Sequence, residues 1–319
     1  MDKQSLLQLF KTVVGLTDFK EDKKTKGWMP KLGPNDYRSV IRHGWLKNER
    51  AMIKVSPYEN LAQIAGDFKR YQKAQKPGMV KVPEILRSGK VRGGEFLIQQ
   101  SALAGERIQP NYPLSTTEQK EEVAKLYWST INNFPKYDFG EWAVSDYFLA
   151  RLDKWFGLGR ENGAVKNGFI TQDEKDQAME LIFSNMRLLR VEAFFDHFAN
   201  SDIVKTNGQY LIWEAKIVPK PEAAGIALWL WGATLYAYNL PVQKWLAELE
   251  GWTKTFIKYA PAAKQKDLRL KIKINFLERL LGSLLVDLPF KRSPFQDSST
   301  KEIKQAKHLL REVLRSQLG

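Results

Sequence analysis

The chain has 319 residues, 43% of them apolar and 27% charged, a globular composition with room for one large domain or two ordinary ones. It has no Cys, which excludes a disulfide framework, thiolate metal sites and a Cys nucleophile, and its three His (43, 197 and 308) are too scattered to suggest a His-built metal site. The net charge of +14 favours phosphates, nucleic acid or an anionic surface as partners, with a Lys-rich proteome as the plain alternative.

Residues 2–16 place apolar side chains at 6, 7, 9, 10, 13, 14 and 16, the spacing of an amphipathic helix. No clean apolar core or small-residue cleavage site accompanies them, so a signal peptide is not expected and a cytoplasmic location is. Residues 36–41 and 51–55 read as an antiparallel pair, with turns at His43-Gly44 and at Asn48-Glu49-Arg50. Ser56-Pro57 opens a helix whose apolar positions run 58, 61, 64, 65, 68 and 71, and Lys76-Pro77-Gly78 stops it. Val80–Leu86 is a short strand interrupted by Pro83, and 95–99 is the next strand after a turn from Ser88-Gly89 to Gly93-Gly94. Residues 101–108 form a linker.

From Thr116 the pattern is helical. Helices are expected towards Ile131, over 142–156, and over 171–187 with a Thr171/Glu174 capping box. Two short strands follow, Ile203-Val204 and Gln209–Ile212. Ala223–Leu240 approaches the lower length of a membrane span, but Gly, Thr, Tyr and Asn punctuate it and it reads as a helix buried on all sides. No membrane span is expected. Helices near 242–258, 265–284 and 299–317 complete the chain. From Lys264 onwards 13 Lys/Arg stand against 6 Asp/Glu, so the basic excess there is interleaved with acids.

Lys54 sits in an apolar strand, Met52-Ile53-Lys54-Val55, where a lysine can face a bound anion or pair with an acid; Glu59 and Asp67 are the acids offered by the following helix. The segment 191–216 carries a polar turn, Asp196 to Asp202, then two strands, the second ending near Glu214. Taken in order, Ile53-Lys54-Val55, Val82-Pro83-Glu84-Ile85-Leu86, Phe96-Leu97-Ile98-Gln99-Gln100, Gly105, Asp196–Val204 and Leu211-Ile212-Trp213-Glu214 resemble the protein kinase-like fold in its aminoglycoside phosphotransferase and choline kinase branch. The resemblance covers roughly residues 30–260 and rests on order and spacing, since each motif is altered.

The resemblance implies an α+β, bilobal fold. A small antiparallel lobe with one helix would occupy 1–100, a hinge 101–110, and a larger helical lobe 111–319. It implies ATP and Mg2+ as cofactors and a small-molecule acceptor. Lys54, Glu59, Asp67, Gln99 and Gln100 would serve the nucleotide. Asp196 or His197 would act at the acceptor hydroxyl, and Asp202 and Glu214 would bind the metal. The departures lie in the same segment. His197 stands where the family carries its catalytic Asp, with Asp196 in the preceding glycine's place; His can serve as a base near neutral pH or simply pack the loop. Asp202 replaces the metal-binding Asn, keeping an oxygen ligand that magnesium accepts. Trp213 aligns with the second metal ligand unless Glu214 takes over by a one-residue slip, and Gly225 aligns near the structural acid that braces the loop. Three readings follow: an active phosphotransferase, a kinase-like protein that binds a nucleotide or partner without transfer, and a basic helical nucleic-acid binder. The last rests on Lys/Arg at 264, 266, 269, 271 and 273, whose alternation does not form one helical stripe and fits a solvated surface as well.

Overall fold

The structure, a computed structural model, describes residues 1–25, 27–30, 36–101, 106–107, 114–156, 165–166, 168–199, 202–206, 208–212, 216–291, 295 and 297–319, with the backbone alone at 106–107 and 153–156. Two compact units emerge. The first holds 1–76, 80–106 and 204–217; the second holds 77–79, 107–203 and 218–319. Gly33 and Gly105 lie outside the described residues.

The first unit is built on a five-stranded antiparallel sheet in the order β1-β2-β3-β5-β4. Its strands are β1 (Phe19–Glu21), β2 (Val40–Leu46), β3 (Glu49–Ser56), β4 (Ile85–Val91) and β5 (Gly94–Gln100). Helix α1 (Lys3–Thr17) is capped by the Asp2 carboxylate, which accepts from the backbone N–H of Gln4 and Ser5. Its Leu6, Leu9, Phe10 and Val13 pack against Ala51, Ile53 and Val55 of β3 and Phe96 and Ile98 of β5. Because side chains alternate across a sheet, the neighbours Lys54 and Leu97 point to the opposite face. There Leu97 meets Leu61 and Ala65 of α2 (Leu61–Ala74). Period-two alternation thus delivers Lys54 to the α2 face of the central strand.

Of the two expected turns, the one at Asn48 falls in the hairpin's reversal and the one at His43-Gly44 does not. His43-Gly44 stays within β2, and the chain reverses at Lys47-Asn48, with Lys47 left-handed at φ 55°. Gly44 is needed for a close approach instead of a turn: a Cβ there would lie 2.0 Å from the Lys20 carbonyl oxygen of β1. Helix α2 begins later than Ser56-Pro57 suggests, because Asn60 is its cap and accepts from Gln63 N–H at 2.9 Å. Residues 80–83 do not extend β4. Lys81 instead exchanges backbone bonds of 2.6 and 2.8 Å with Tyr210 and Ile212. Those residues belong to β9 (Gln209–Ile212), which pairs with β8 (Ile203–Thr206); β8 in turn pairs with the short β6 (Glu106–Arg107) in a separate three-stranded sheet.

The second unit is mainly helical: α3 (Thr117–Asn132), α4 (Val144–Phe156), α5 (Gln172–Asn185), α6 (Ala224–Leu235), α7 (Val242–Lys258), α8 (Leu268–Gly282) and α9 (Thr300–Leu318). A one-turn helix, Ala262–Gln265, lies between α7 and α8. Capping boxes start α3 at Thr116, α5 at Thr171 and α9 at Ser299. The apolar run from Ala223 becomes α6, buried on all sides, and no described helix is long and apolar enough to cross a membrane. Two strands absent from the sequence reading, β7 (Val191–Phe195) and β10 (Ile217–Pro221), form a two-stranded sheet. Their core is aromatic: the Tyr127 ring meets Phe194, Phe198 and Phe256 edge-on at centroid distances of 5.4, 5.5 and 5.8 Å.

Gly225 closes this cluster. A Cβ there would lie 2.4 Å from the Phe194 ring and 2.7 Å from Tyr127. Gly225→Ala is expected to destabilise the protein by about 1–3 kcal/mol through overpacking of a dense core. Urea unfolding followed by tryptophan fluorescence measures this; a stability unchanged within error would contradict the packing described.

Candidate functional site

In the first unit the site is organised by one carboxylate. Ser56 ends β3 and its hydroxyl accepts from the N–H of both Tyr58 and Glu59 at 3.1 Å while donating to the Arg38 carbonyl at 2.7 Å. Asn60 then caps α2. Between these two fixed points Glu59 turns inward, its side chain only 4% exposed. Its Oε2 lies 2.9 Å from Lys54 Nζ, and its Oε1 accepts from Arg38 at 2.9 Å and from Lys216. Lys216 follows β9 and belongs to the same unit. Burial alone would push the Glu59 carboxyl up; Lys54 and Lys216 outweigh it and hold the group below the usual carboxylate range. Three cations around one acid leave a local excess of positive charge.

The other residues expected at the nucleotide sit nearby in sequence but differ in environment. Asp67 lies on α2, half-buried, where burial raises its carboxyl against the opposing pull of Arg70. Gln99 is buried in β5; Gln100 is exposed at its end, its N–H donating to the Glu84 carbonyl at 2.8 Å. Glu214, expected as a metal ligand, and Trp213 lie outside the described residues.

In the second unit, β7 ends in Phe194 and Phe195, both fully buried, and Phe198 is buried three residues on. These rings anchor the turn from both sides and leave Asp196 and His197 towards solvent, 24% and 61% exposed. His197 Nε2 stands 3.8 Å from the Asp196 carboxylate, a loose contact. Asp202 closes the turn by donating its backbone N–H to the Ala199 carbonyl at 3.0 Å. The magnesium implied by the resemblance requires a set of hard oxygen ligands. Asp202 is the one expected ligand among the described residues, and no group of three or more acids or histidines forms there. The Asp202 carboxylate suits such an ion as one ligand of a set, and no step is routed through a metal.

No family model matches the chain, and no curated protein does. Solved structures do match over nearly the whole length. Aminoglycoside phosphotransferase APH(4)-Ia is 13% identical with a TM-score of 0.53, covering 97% of this chain and 98% of that one. Spectinomycin phosphotransferase APH(9)-Ia, in complex with ADP and spectinomycin, is 8% identical with a TM-score of 0.57, covering 99% and 98%. Plasmodium vivax ethanolamine kinase is 12% identical with a TM-score of 0.53, covering 99% and 91%. The chain has the kinase-like fold of the aminoglycoside phosphotransferases and ethanolamine kinases.

Within that fold, sequence reasoning named Lys54 and Glu59 but missed Arg38 and Lys216. Lys216 is separated from Glu59 by 157 positions, and no spacing rule flags a lysine just beyond a strand. In the second unit it missed Lys220 of β10, buried and stacked 5.3 Å over the Tyr147 ring, and the Glu278 carboxylate beneath Arg151 and Arg279.

Glu59→Gln would orphan buried cations and is expected to cost roughly 3 kcal/mol, the lower end for breaking a buried ion pair. The lowered carboxyl also sets a sign. The stabilisation from Glu59 is complete above the ordinary carboxylate pKa and is lost as pH falls through the lower folded value. Chemical denaturation across the acid range should show this component in the wild type and not in Glu59→Gln.

Proposed function

We propose that the chain is an ATP-dependent phosphotransferase that acts on a hydroxyl of a small molecule. The observation that carries this reading is the buried Lys54–Glu59 ion pair on the central strand of the first unit. A lysine held by an acid in this way presents a fixed ammonium to the phosphates of a nucleotide. The structural likeness to a phosphotransferase solved with ADP supports the same ligand here. Arg38 and Lys216 add positive charge around the same carboxylate, and β5 with Gln99 and Gln100 borders the nucleotide.

For the acceptor hydroxyl we assign residues of the second unit. Asp196, fixed by buried aromatic neighbours and still partly solvated, is the base; His197 beside it is the alternative. The acceptor oxygen forms the new bond to the γ-phosphorus, the bond to the ADP oxygen breaks, and the hydroxyl proton passes to Asp196. Asp202 would supply one oxygen ligand to a magnesium carried in with the nucleotide.

A second reading, nucleotide binding without transfer, is favoured by one observation: Lys216 shares the Glu59 carboxylate with Lys54. Its ammonium brings a fixed charge to the nucleotide half of the site, where the family resemblance places Trp213 in a ligand position.

The two readings separate in one series. ATP with magnesium should raise the melting temperature of the wild type, and Lys54→Ala should remove most of that rise. Asp196→Asn should keep the rise and lower the rate of phosphoryl transfer by about a hundred-fold or more, the scale of general-base catalysis. ATP stabilisation with no transfer to any of a panel of hydroxyl compounds selects the second reading. No stabilisation at millimolar ATP overturns both.

A further inference from the structure

Lys220 is the least explained charged residue of the second unit. It lies on β10 and is 7% exposed. Among the described residues its ammonium makes no ion pair or hydrogen bond; its one close partner is the face of the Tyr147 ring, 5.3 Å away. A cation–π contact contributes about 0.5–2 kcal/mol. The desolvation of a buried ammonium costs several kcal/mol. The ring alone therefore does not account for a lysine in this place.

The neighbouring charges do not account for it either. Arg151 of α4 lies 6.0 Å from the same Tyr147 ring and donates from Nε to Glu278 at 2.7 Å. Arg279 of α8 lies 3.2 Å from the other oxygen of Glu278. Glu278 is 1% exposed, and both its oxygens are committed to the two guanidinium groups. Asp287 also acts on Arg151. Among the described residues the remaining acid whose charge acts on Lys220 is Asp196, and the two form no ion pair. Burial, then Arg279 and Arg151, push the Lys220 ammonium down to about 7, against the weaker opposing pull of Asp196 and Glu278. Arg151 and Asp196 keep partial solvent exposure, 26% and 24%, so the cluster opens to water beside Asp196.

We propose that Lys220, with Arg151 beside it, is an anion-binding subsite for the acceptor, so that the substrate is a hydroxyl compound bearing a carboxylate or a phosphate. The acceptor role rests on the phosphotransferase reading; the anion site rests on the cluster itself. An oxyanion supplies what Lys220 lacks among the described residues, a negative partner at contact distance. At pH above neutrality the anion would draw a proton onto Lys220 as it binds, because the charged form is the one it favours.

Isothermal titration calorimetry on the full chain tests this with three probes of one carbon skeleton: glycerol 3-phosphate, glycerate and glycerol. One or both anions should bind, the preferred one naming the oxyanion, and glycerol should not. At pH 8 binding should take up protons, seen as a heat that depends on the ionisation enthalpy of the buffer. Lys220→Met should weaken binding by about tenfold or more, the scale of a lost charge-assisted hydrogen bond, and abolish the proton uptake. The same variant should melt at a higher temperature than wild type, since an unpaired buried charge is gone, so weaker binding cannot be put down to unfolding. Lys258→Met, which removes an exposed lysine paired to Glu121, is the charge-matched control and should bind as wild type does. Anion binding unchanged in Lys220→Met, binding without proton uptake, or no binding by either anion overturns the proposal. ATP stabilisation of the wild type is read separately. Its loss counts against the phosphotransferase reading and leaves the anion site standing; its persistence without anion binding counts against the acceptor class alone.

Discussion

The first unit is arranged around a carboxylate that cannot be left alone. Glu59 is almost fully buried, and burial of a lone carboxylate is costly enough that the group would protonate instead. Lys54, Arg38 and Lys216 prevent that. Each comes from a different part of the chain: Lys54 from the central strand, Arg38 from the approach to β2, Lys216 from beyond β9. Forming the cluster therefore fixes where three separate segments of this unit lie. The acid itself is fixed by short-range chemistry, the Ser56 hydroxyl on one side and the Asn60 cap on the other. Local turn geometry thus places a long-range electrostatic hub.

The second unit uses the opposite means. Phe194, Phe195 and Phe198 are buried around Tyr127, Phe256 and Trp229, and the polar residues between them are forced outwards. Apolar burial is non-directional, so edge-on ring packing and the missing Cβ of Gly225 supply the shape. Gly225 stands near where the family resemblance expects a bracing acid. In this chain the loop carrying Asp196 is braced by ring contacts, which hold it without adding a charge near the candidate base.

Local signals carried much of the fold. The capping box at Thr171 starts a helix where a side chain can satisfy a backbone N–H three residues on, and such a pair is visible in a window of four residues. The β2–β3 hairpin was visible too, with a turn at Asn48, but a further turn was expected at Gly44, which serves a close backbone approach instead. Strands β7 and β10 were hidden for a different reason. Val191–Phe195 carries Glu192 early and two adjacent buried Phe at its end, and Ile217–Pro221 carries two prolines and a buried lysine, so neither shows a period of two. The charge clusters were the least visible. Lys54 and Glu59 are five residues apart and could be paired by eye, whereas Lys216 with Glu59 and Arg151 with Glu278 are separated by 157 and 127 positions.

The contrast between two lysines bears on what kind of chemistry this chain is built for. Lys54 sits on an acid and remains a fixed cation, the state required of a group that holds phosphates. Lys220 is also buried, yet it sits on an aromatic face with guanidinium groups as neighbours, and among the described residues no acid pairs with it. A purely structural role would be served better by an apolar side chain of the same length, which would pack against Tyr147 without desolvating a charge. Retaining the amine at that position costs stability. An anion entering the space beside Asp196 would offset that cost, which is the role we propose for the oxyanion of the acceptor.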